Sequence, residues 1–168
     1  AGLMAARRDA PGEIAAAQAD VDRAWEYLNR YDEDIRDSLE DELRAAETLN
    51  ESARDELEQE QPDYLRVVKL AREANAAADR ILAQARDEHE TAERLRAKAA
   101  SALRDAQAKV AMVGRFIQVR HPFVRDAARN TLVEAREALQ QAEVVTDVNA
   151  RITLAARAEA AADEAYSL

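Results

Sequence analysis

The sequence is poor in the residues that make cross-links, turns and thick cores. It has no cysteine, three glycines, three prolines and 4% aromatic residues. Without cysteine there is no disulfide framework, no thiolate nucleophile and no cysteine-based metal site, which fits a reducing compartment. With so few turn-forming and aromatic residues, a β-rich fold is not expected. No apolar run approaches the roughly 20 residues that a membrane-spanning helix needs.

The chain is also short of positive charge. Its 168 residues carry 34 Asp and Glu against 24 Lys and Arg, a formal net charge of -10. This charge opposes binding to phosphate backbones and to anionic lipid headgroups. We therefore expect no nucleic-acid partner and no direct membrane insertion by this segment.

The sequence is rich in helical periodicity. Between residues 62 and 119, apolar residues recur three or four positions apart, which places them on one face of a helix, and no strand-like alternation occurs. A single helix over 62–119 would be roughly 80 Å long at 1.5 Å per residue. Because this is too long for a compact globule of this size, the rest of the chain should run alongside it.

Proline and aspartate divide the remainder into three more predicted helices, over 12–60, 123–145 and 147–166, after a tail over 1–11. The segment 12–60 has 17 acidic against 5 basic residues and 61–119 has 8 against 11, as expected for two paired helices. The predicted fold is all-α: one elongated antiparallel bundle over 12–168, with a long hairpin, a shorter C-terminal hairpin and spectrin-like packing of three to four helices. Its core should be thin and alanine-rich.

A shift of 84 residues aligns two parts of the chain. It superposes Asp63 on Asp147, Val68 on Ile152, and Ala76-Ala77-Ala78-Asp79 on Ala160-Ala161-Ala162-Asp163. One interpretation is the duplication of a helical hairpin. The other is chance similarity between alanine-rich helices, in which case the last two helices are a single rod.

If the short hairpin packs at one end of the long one, the other end projects as a two-helix arm around Pro62. Two paired helices bury less than four, so the apolar stripe of the arm should be exposed to a partner. The predicted interaction surface consists of this stripe, Leu43, Leu49, Leu57, Leu65 and Leu70, together with the aromatic pair Trp25 and Tyr27. Trp25 also stands at a stripe position, for which a core role is the favoured interpretation.

Chemistry-bearing patterns are weak. His89 and Glu93 share a helical spacing, but a metal site would need ligands from a second helix, so a solvated helix face is the favoured interpretation. The acidic runs Asp32-Glu33-Asp34 and Glu40-Asp41-Glu42 lack the glycine turn of a calcium loop and are interpreted as parts of helices. No nucleophile motif or glycine-rich phosphate loop is present. We predict no catalytic residues, no metal ligands and no cofactor.

The C-terminal third carries a family resemblance. Phe116-Ile117, Arg120, the pattern Ala128-Arg129-x-x-Leu132-x-x-Ala135 and a segment led by Asp147 resemble the helical C-terminal region of bacterial TPM-domain membrane proteins. This family tends to have arginine and glycine at the turn, where this chain has His121-Pro122. The resemblance implies a cytoplasmic helical part of a membrane-anchored parent. A looser likeness is to spectrin-like repeats, including those of a membrane-anchored septation-ring regulator.

The N-terminal tail bears on this placement. An apolar stretch is followed by Arg7-Arg8, the order found on the cytoplasmic side of a membrane span, although a frayed terminus has the same appearance. From sequence, the chain is expected to be a non-catalytic structural or protein-interaction module in the cytoplasm, binding a protein partner or itself. The alternative is a helical bundle that binds a small ligand or a metal.

Overall fold

Residues 2–168 form five α-helices and one short 3-10 turn. The computed structural model describes residues 2–168; Ala1, in the predicted tail, lies outside them. The helices are α1 (Gly2–Arg30), α2 (Ser38–Leu57), α3 (Tyr64–Val119), α4 (Asp126–Val144) and α5 (Val148–Ser167), and the 3-10 turn is Asp32–Asp34. The predicted all-α class is confirmed. The number of helices among residues 2–168 is five, against three or four predicted.

The chain divides into two compact units, Ala1–Thr91 and Ala92–Leu168, in place of the single domain predicted over 12–168. Helix α3 supplies its first half to unit 1 and its second half to unit 2. Each unit therefore contains three helical segments: α1, α2 and the first half of α3 in unit 1, and the second half of α3 with α4 and α5 in unit 2.

The prediction of one helix over 12–60 is wrong, because residues 31–37 interrupt it. The prediction of a tail over 1–11 is also wrong, since α1 begins at Gly2 and continues through Pro11. Proline lacks the N-H that would bond the carbonyl of Arg7, but both residues are exposed, so water can bond that carbonyl.

The apolar periodicity did not predict this interruption, because the interruption has a length that preserves the helical spacing. Leu28, Ile35 and Leu39 are seven and four residues apart, so the apolar pattern keeps its helical phase across the turn. All three side chains are buried in one cluster. The signal that marks the turn is its aspartates, which favour caps and turns over helix interiors, followed by Ser38 at the start of α2.

Unit 1 has a core to which all three of its helices contribute. One cluster joins Val21 and Leu28 of α1 to Leu39 and Leu43 of α2 and to Ile81 of α3. A second cluster contains Ile14 of α1, Ala53 of α2 and Val67 of α3. Because α1 packs against α2 and α3, the predicted two-helix arm does not exist.

Unit 2 has a core made largely of alanine, as predicted. Of the twelve buried residues in its cluster, eight are alanines, and all four from α5 are alanines. The larger members are Val110, Val113, Ile117 and Leu132. Small side chains allow close helix approach but bury little apolar area each, so this unit needs its whole helix length to stabilise it.

The ends of α3, α4 and α5 agree closely with the prediction. Helix α3 ends at Val119, just before His121-Pro122, and α4 ends at Val144. Asp147 caps α5 by accepting a hydrogen bond from the Ala150 N-H at 2.8 Å. Asp63, its partner in the 84-residue alignment, accepts a bond from the Arg66 N-H at 3.1 Å. The two aligned stretches therefore both begin the third helical segment of a unit, with the same kind of cap.

Candidate functional site

The surface predicted from sequence is mostly covered. Leu43 is fully buried in the core of unit 1, so its assignment to an accessible surface is wrong. Leu49, Leu57 and Leu70 are half-buried against the core cluster at the other end of unit 1. Leu65 alone of the five leucines is exposed, with 56% of its surface accessible. The stripe is buried because α1 occupies the place that the prediction left open.

The two aromatic members of the predicted surface lie near the α1–α2 turn. Trp25 and Tyr27 are half-buried against the core of unit 1. The Arg44 guanidinium lies 5.8 Å from the centre of the Trp25 ring, and the Arg86 guanidinium lies 5.8 Å from that of Tyr27. Their ring faces are therefore partly covered by arginines of the same unit, with a modest stabilising effect.

His89 lies in a polar and aromatic cluster that the sequence did not reveal. Its Nδ1 atom is 2.7 Å from Oδ2 of Asp34 in the 3-10 turn, and its ring stacks on Tyr31 with centres 3.7 Å apart. The His89 and Asp34 side chains are only 17% and 8% exposed. The interpretation of His89 as part of a solvated face is therefore wrong, as is the placement of Asp34 inside a helix.

This cluster fastens the α1–α2 turn to α3. The Arg36 N-H donates to Oε2 of Glu88 at 3.1 Å, and the Arg36 guanidinium pairs with the same carboxylate at 3.2 Å. The ring of Tyr27 meets His89 edge-on, with centres 6.1 Å apart. Burial, followed by the charges of Tyr31 and Glu90, raises the pKa of Tyr27 above its ordinary value of 10.0.

Chemically, Asp34 and His89 are two side chains of the types that bind divalent cations. Glu93 follows His89 by one helical turn of α3 and forms an ion pair with Arg96. The carboxylate of Asp34 also orients the His89 ring, as it would for a metal-bound histidine.

A second surface lies in unit 2, where the α3–α4 turn meets the end of α5. A groove of about 260 Å³ is lined by apolar side chains that include Phe116, Phe123, Val124 and Tyr166. Phe123 is 90% exposed and Tyr166 is 53% exposed. The rings of Phe116 and Tyr166 are 4.7 Å apart, which gives the groove an aromatic floor.

Two arginines border this groove. Arg120 stacks its guanidinium 4.2 Å above the Phe116 ring, and Arg125 lies at the start of α4. Within residues 2–168 neither arginine forms an ion pair, whereas the nearby Arg129 is paired with Asp126 at 3.1 Å. No acidic side chain lines the groove. We call it the basic groove.

The basic groove was not predicted, although its residues were visible. Arg120, Phe123 and Arg125 follow one another around the turn, and a phenylalanine between two arginines in a loop is a recognisable signal. Tyr166 comes from a helix about forty residues later, and no local pattern connects it to that turn.

Charge separates the two units. Unit 1 carries 24 acidic against 12 basic residues, a net charge of -12, while unit 2 carries 10 against 12, a net charge of +2. The acidity of the whole chain therefore belongs to unit 1. The negative net charge that would repel an anionic partner is therefore absent from unit 2.

Comparisons with models of protein families, with curated proteins and with solved structures give no match for this chain. None of the helices formed by residues 2–168 combines the length and the apolarity that a bilayer-spanning segment requires.

Proposed function

We propose that this chain is a non-catalytic protein-interaction module, the cytoplasmic helical part of a larger membrane-anchored bacterial protein. The resemblance of the stretch from Phe116 to TPM-domain proteins supports the placement. Two consecutive three-helix units that share one long helix support the looser likeness to spectrin-like repeats. In this proposal, each unit is a helical support that holds an interaction surface.

The basic groove is the observation that carries the proposal. Interface centres are enriched in aromatic residues and arginine, and Phe123 and Arg120 place both at an exposed turn. An aromatic ring that is 90% exposed has apolar area to bury when a partner binds. The bordering arginines favour a partner whose contact surface is acidic.

In vivo photo-cross-linking tests the proposal directly. A photoreactive phenylalanine analogue replaces Phe123 in the parent protein, in its bacterial host, and adducts are identified by mass spectrometry. The matched control places the same analogue at Ala156, which is exposed on α5 of the same unit. We expect a protein adduct at position 123 and none at position 156. The same adduct pattern at both positions, or no adduct, would contradict an interaction through the groove.

Metal binding is the second candidate, favoured by the contact between Asp34 and His89. A divalent cation bound by the folded state would raise the melting temperature through linkage, by an amount that grows with concentration. The measurement compares melting in millimolar ZnCl2 and in EDTA for the wild type and for His89→Ala. A zinc-dependent rise that the variant lacks would support this candidate, and an unchanged wild-type melting temperature would remove it.

A further inference from the structure

Unit 1 contains a surface whose charge complements the basic groove. From the last residues of α2 to the first turn of α3, residues 56–66 carry four carboxylates and one arginine. Glu58 and Glu60 are exposed and, within residues 2–168, neither is part of an ion pair. Leu65, at the start of α3, is 56% exposed. We call residues 58–65 the acidic turn.

The acidic turn is held in shape by its own hydrogen bonds. Oε1 of Glu56 accepts a bond from the Asp63 N-H at 3.0 Å, and Oδ1 of Asp63 accepts one from the Arg66 N-H at 3.1 Å. These bonds occupy Glu56 and Asp63 and leave Glu58, Glu60 and Leu65 as the outward groups. A surface fixed before binding loses less conformational entropy when it binds.

Other exposed apolar side chains of unit 1 are less suited to the basic groove. Within residues 2–91 the large exposed hydrophobic residues are Leu3, Met4 and Leu65. Leu3 and Met4 precede Arg7 and Arg8, whose positive charge would be repelled by the groove. Around Leu65, residues 58–69 carry three carboxylates against Arg66 and Lys69, whereas residues 2–8 around Leu3 and Met4 carry two arginines and no carboxylate.

We propose that the basic groove binds the acidic turn of a second copy of this chain. Leu65 enters between Phe116, Phe123 and Tyr166, and Glu58 and Glu60 face Arg120 and Arg125. The inference rests on the proposed interaction function and names the partner of the same surface. It is favoured over an unrelated partner because the chain itself carries both halves of the complementary pair.

The contact joins two different surfaces, so it is heterologous and each copy offers both halves. The charges of -12 on unit 1 and +2 on unit 2 orient the encounter and disfavour contact between two acidic units. Exposed charge pairs are screened by salt, with a Debye length of about 30 Å at about 0.01 M and about 3 Å at about 1 M. Association should therefore be strong at low ionic strength and weak at high ionic strength.

Charge reversal provides a test in which two inactive variants restore each other. Arg120→Glu with Arg125→Glu makes the groove acidic, and Glu58→Lys with Glu60→Lys makes the turn basic. Each variant alone presents like charges at the contact, but a mixture of the two contains both the native and the reversed complementary pairs. Light scattering coupled to size exclusion gives the mass, and circular dichroism checks that helix content is unchanged.

We expect the wild type to exceed the monomer mass of 18.6 kDa at low salt and to approach it at high salt. Each charge-reversal variant should stay monomeric, and their equimolar mixture should associate. The control variant, Arg104→Glu with Arg157→Glu, makes the same charge change at exposed positions of unit 2 and should behave as the wild type does.

Three outcomes would overturn the inference: a wild type that is monomeric at low salt, an association that both charge-reversal variants retain, or a mixture that stays monomeric when both variants are folded. None of these decides the proposed function. If Phe123 cross-links to a different protein, that function stands and self-docking fails.

Discussion

Asn50 provides the sharpest prediction about stability, because it is a fully buried polar residue in an otherwise apolar core. Its Nδ2 group donates to the Ile14 carbonyl at 3.2 Å and to Oε1 of Gln18 at 3.4 Å. Its Oδ1 atom is buried and accepts no hydrogen bond within residues 2–168. Half of the amide is therefore satisfied and the other half is desolvated at a cost.

We expect Asn50→Leu to raise the free energy of unfolding. An unsatisfied buried acceptor costs about 1–3 kcal/mol and each of the two donated hydrogen bonds contributes about 0.5–1.5 kcal/mol, so removing the amide is roughly neutral. Burying a leucine side chain adds about 1.5–3 kcal/mol, reduced by about 1–3 kcal/mol where the core must shift to fit it. The Ile14 carbonyl keeps its bond within α1, so no new unsatisfied group appears. The net change should be a stabilisation of up to about 2 kcal/mol.

Urea denaturation followed by circular dichroism measures this change. With a slope of about 2 kcal/mol per molar, the midpoint should rise by up to about 1 M. Asn50→Asp serves as the contrast, because it removes the donor and places a carboxylate at a fully buried position, so its midpoint should fall. If the leucine variant has full helix content but a lower midpoint than the wild type, the reasoning is refuted. The amide bonds to α1 would then stabilise the fold by more than the buried carbonyl costs.

Three further predictions concern local features. Gly114→Ala should stabilise unit 2 by about 0.5–1 kcal/mol in urea denaturation, because glycine is a poor helix former. The new methyl group meets only the guanidinium end of Arg136, at 2.8 Å. A loss of stability would show that the Arg136 side chain cannot move aside. Asp147→Ala should lower the unfolding free energy by about 0.5–2 kcal/mol through loss of the α5 cap, and Asp147→Asn should retain most of the capping stabilisation. Equal losses of stability in the two variants would contradict the capping role. The raised pKa of Tyr27 favours the neutral phenol in the folded state, so its contribution to the free energy of unfolding is complete below pH 10.0 and is lost as the pH rises through the folded-state pKa. If the unfolding free energy of the wild type declines in this range no more steeply than that of Tyr27→Phe, the prediction is contradicted.

Helix ends were predictable where a residue acts through its own backbone chemistry. Pro122 follows the end of α3, and Asp147 caps α5 by a bond that closes over three residues. Such signals need no knowledge of the rest of the chain. The all-α class followed for the same reason, since periodicity and composition are also properties of local sequence.

The features that were not predicted from sequence depend on contacts between residues far apart in the chain. The apolar residues keep their helical spacing from Leu28 to Ile35 across the α1–α2 turn, so the sequence predicted one helix where the structure has two. The third helix of unit 1 was therefore not recognised, and Leu43 was assigned to the surface. Asp34 and His89 meet across 55 positions, and Tyr166 closes a groove that begins at Phe116. Neither pairing has a signature in local sequence.

An alanine-rich core leaves the relative register of the helices weakly defined, because successive alanine turns are nearly equivalent in shape. The polar contacts between helices are therefore the groups that distinguish one register from the next. Asn50 ties α2 to the Ile14 carbonyl of α1, and Lys109 pairs α3 with Asp163 of α5 at 2.9 Å. Arg151 of α5 donates to the carbonyl of Val145, just after α4, at 2.6 Å. An exposed ion pair contributes only about 0–1 kcal/mol to stability, so the main effect of such contacts is to select one packing of the helices. By this argument, stabilising Asn50→Leu should weaken the register of α2 against α1, which would appear as broader amide resonances from these helices in a protein that is harder to unfold.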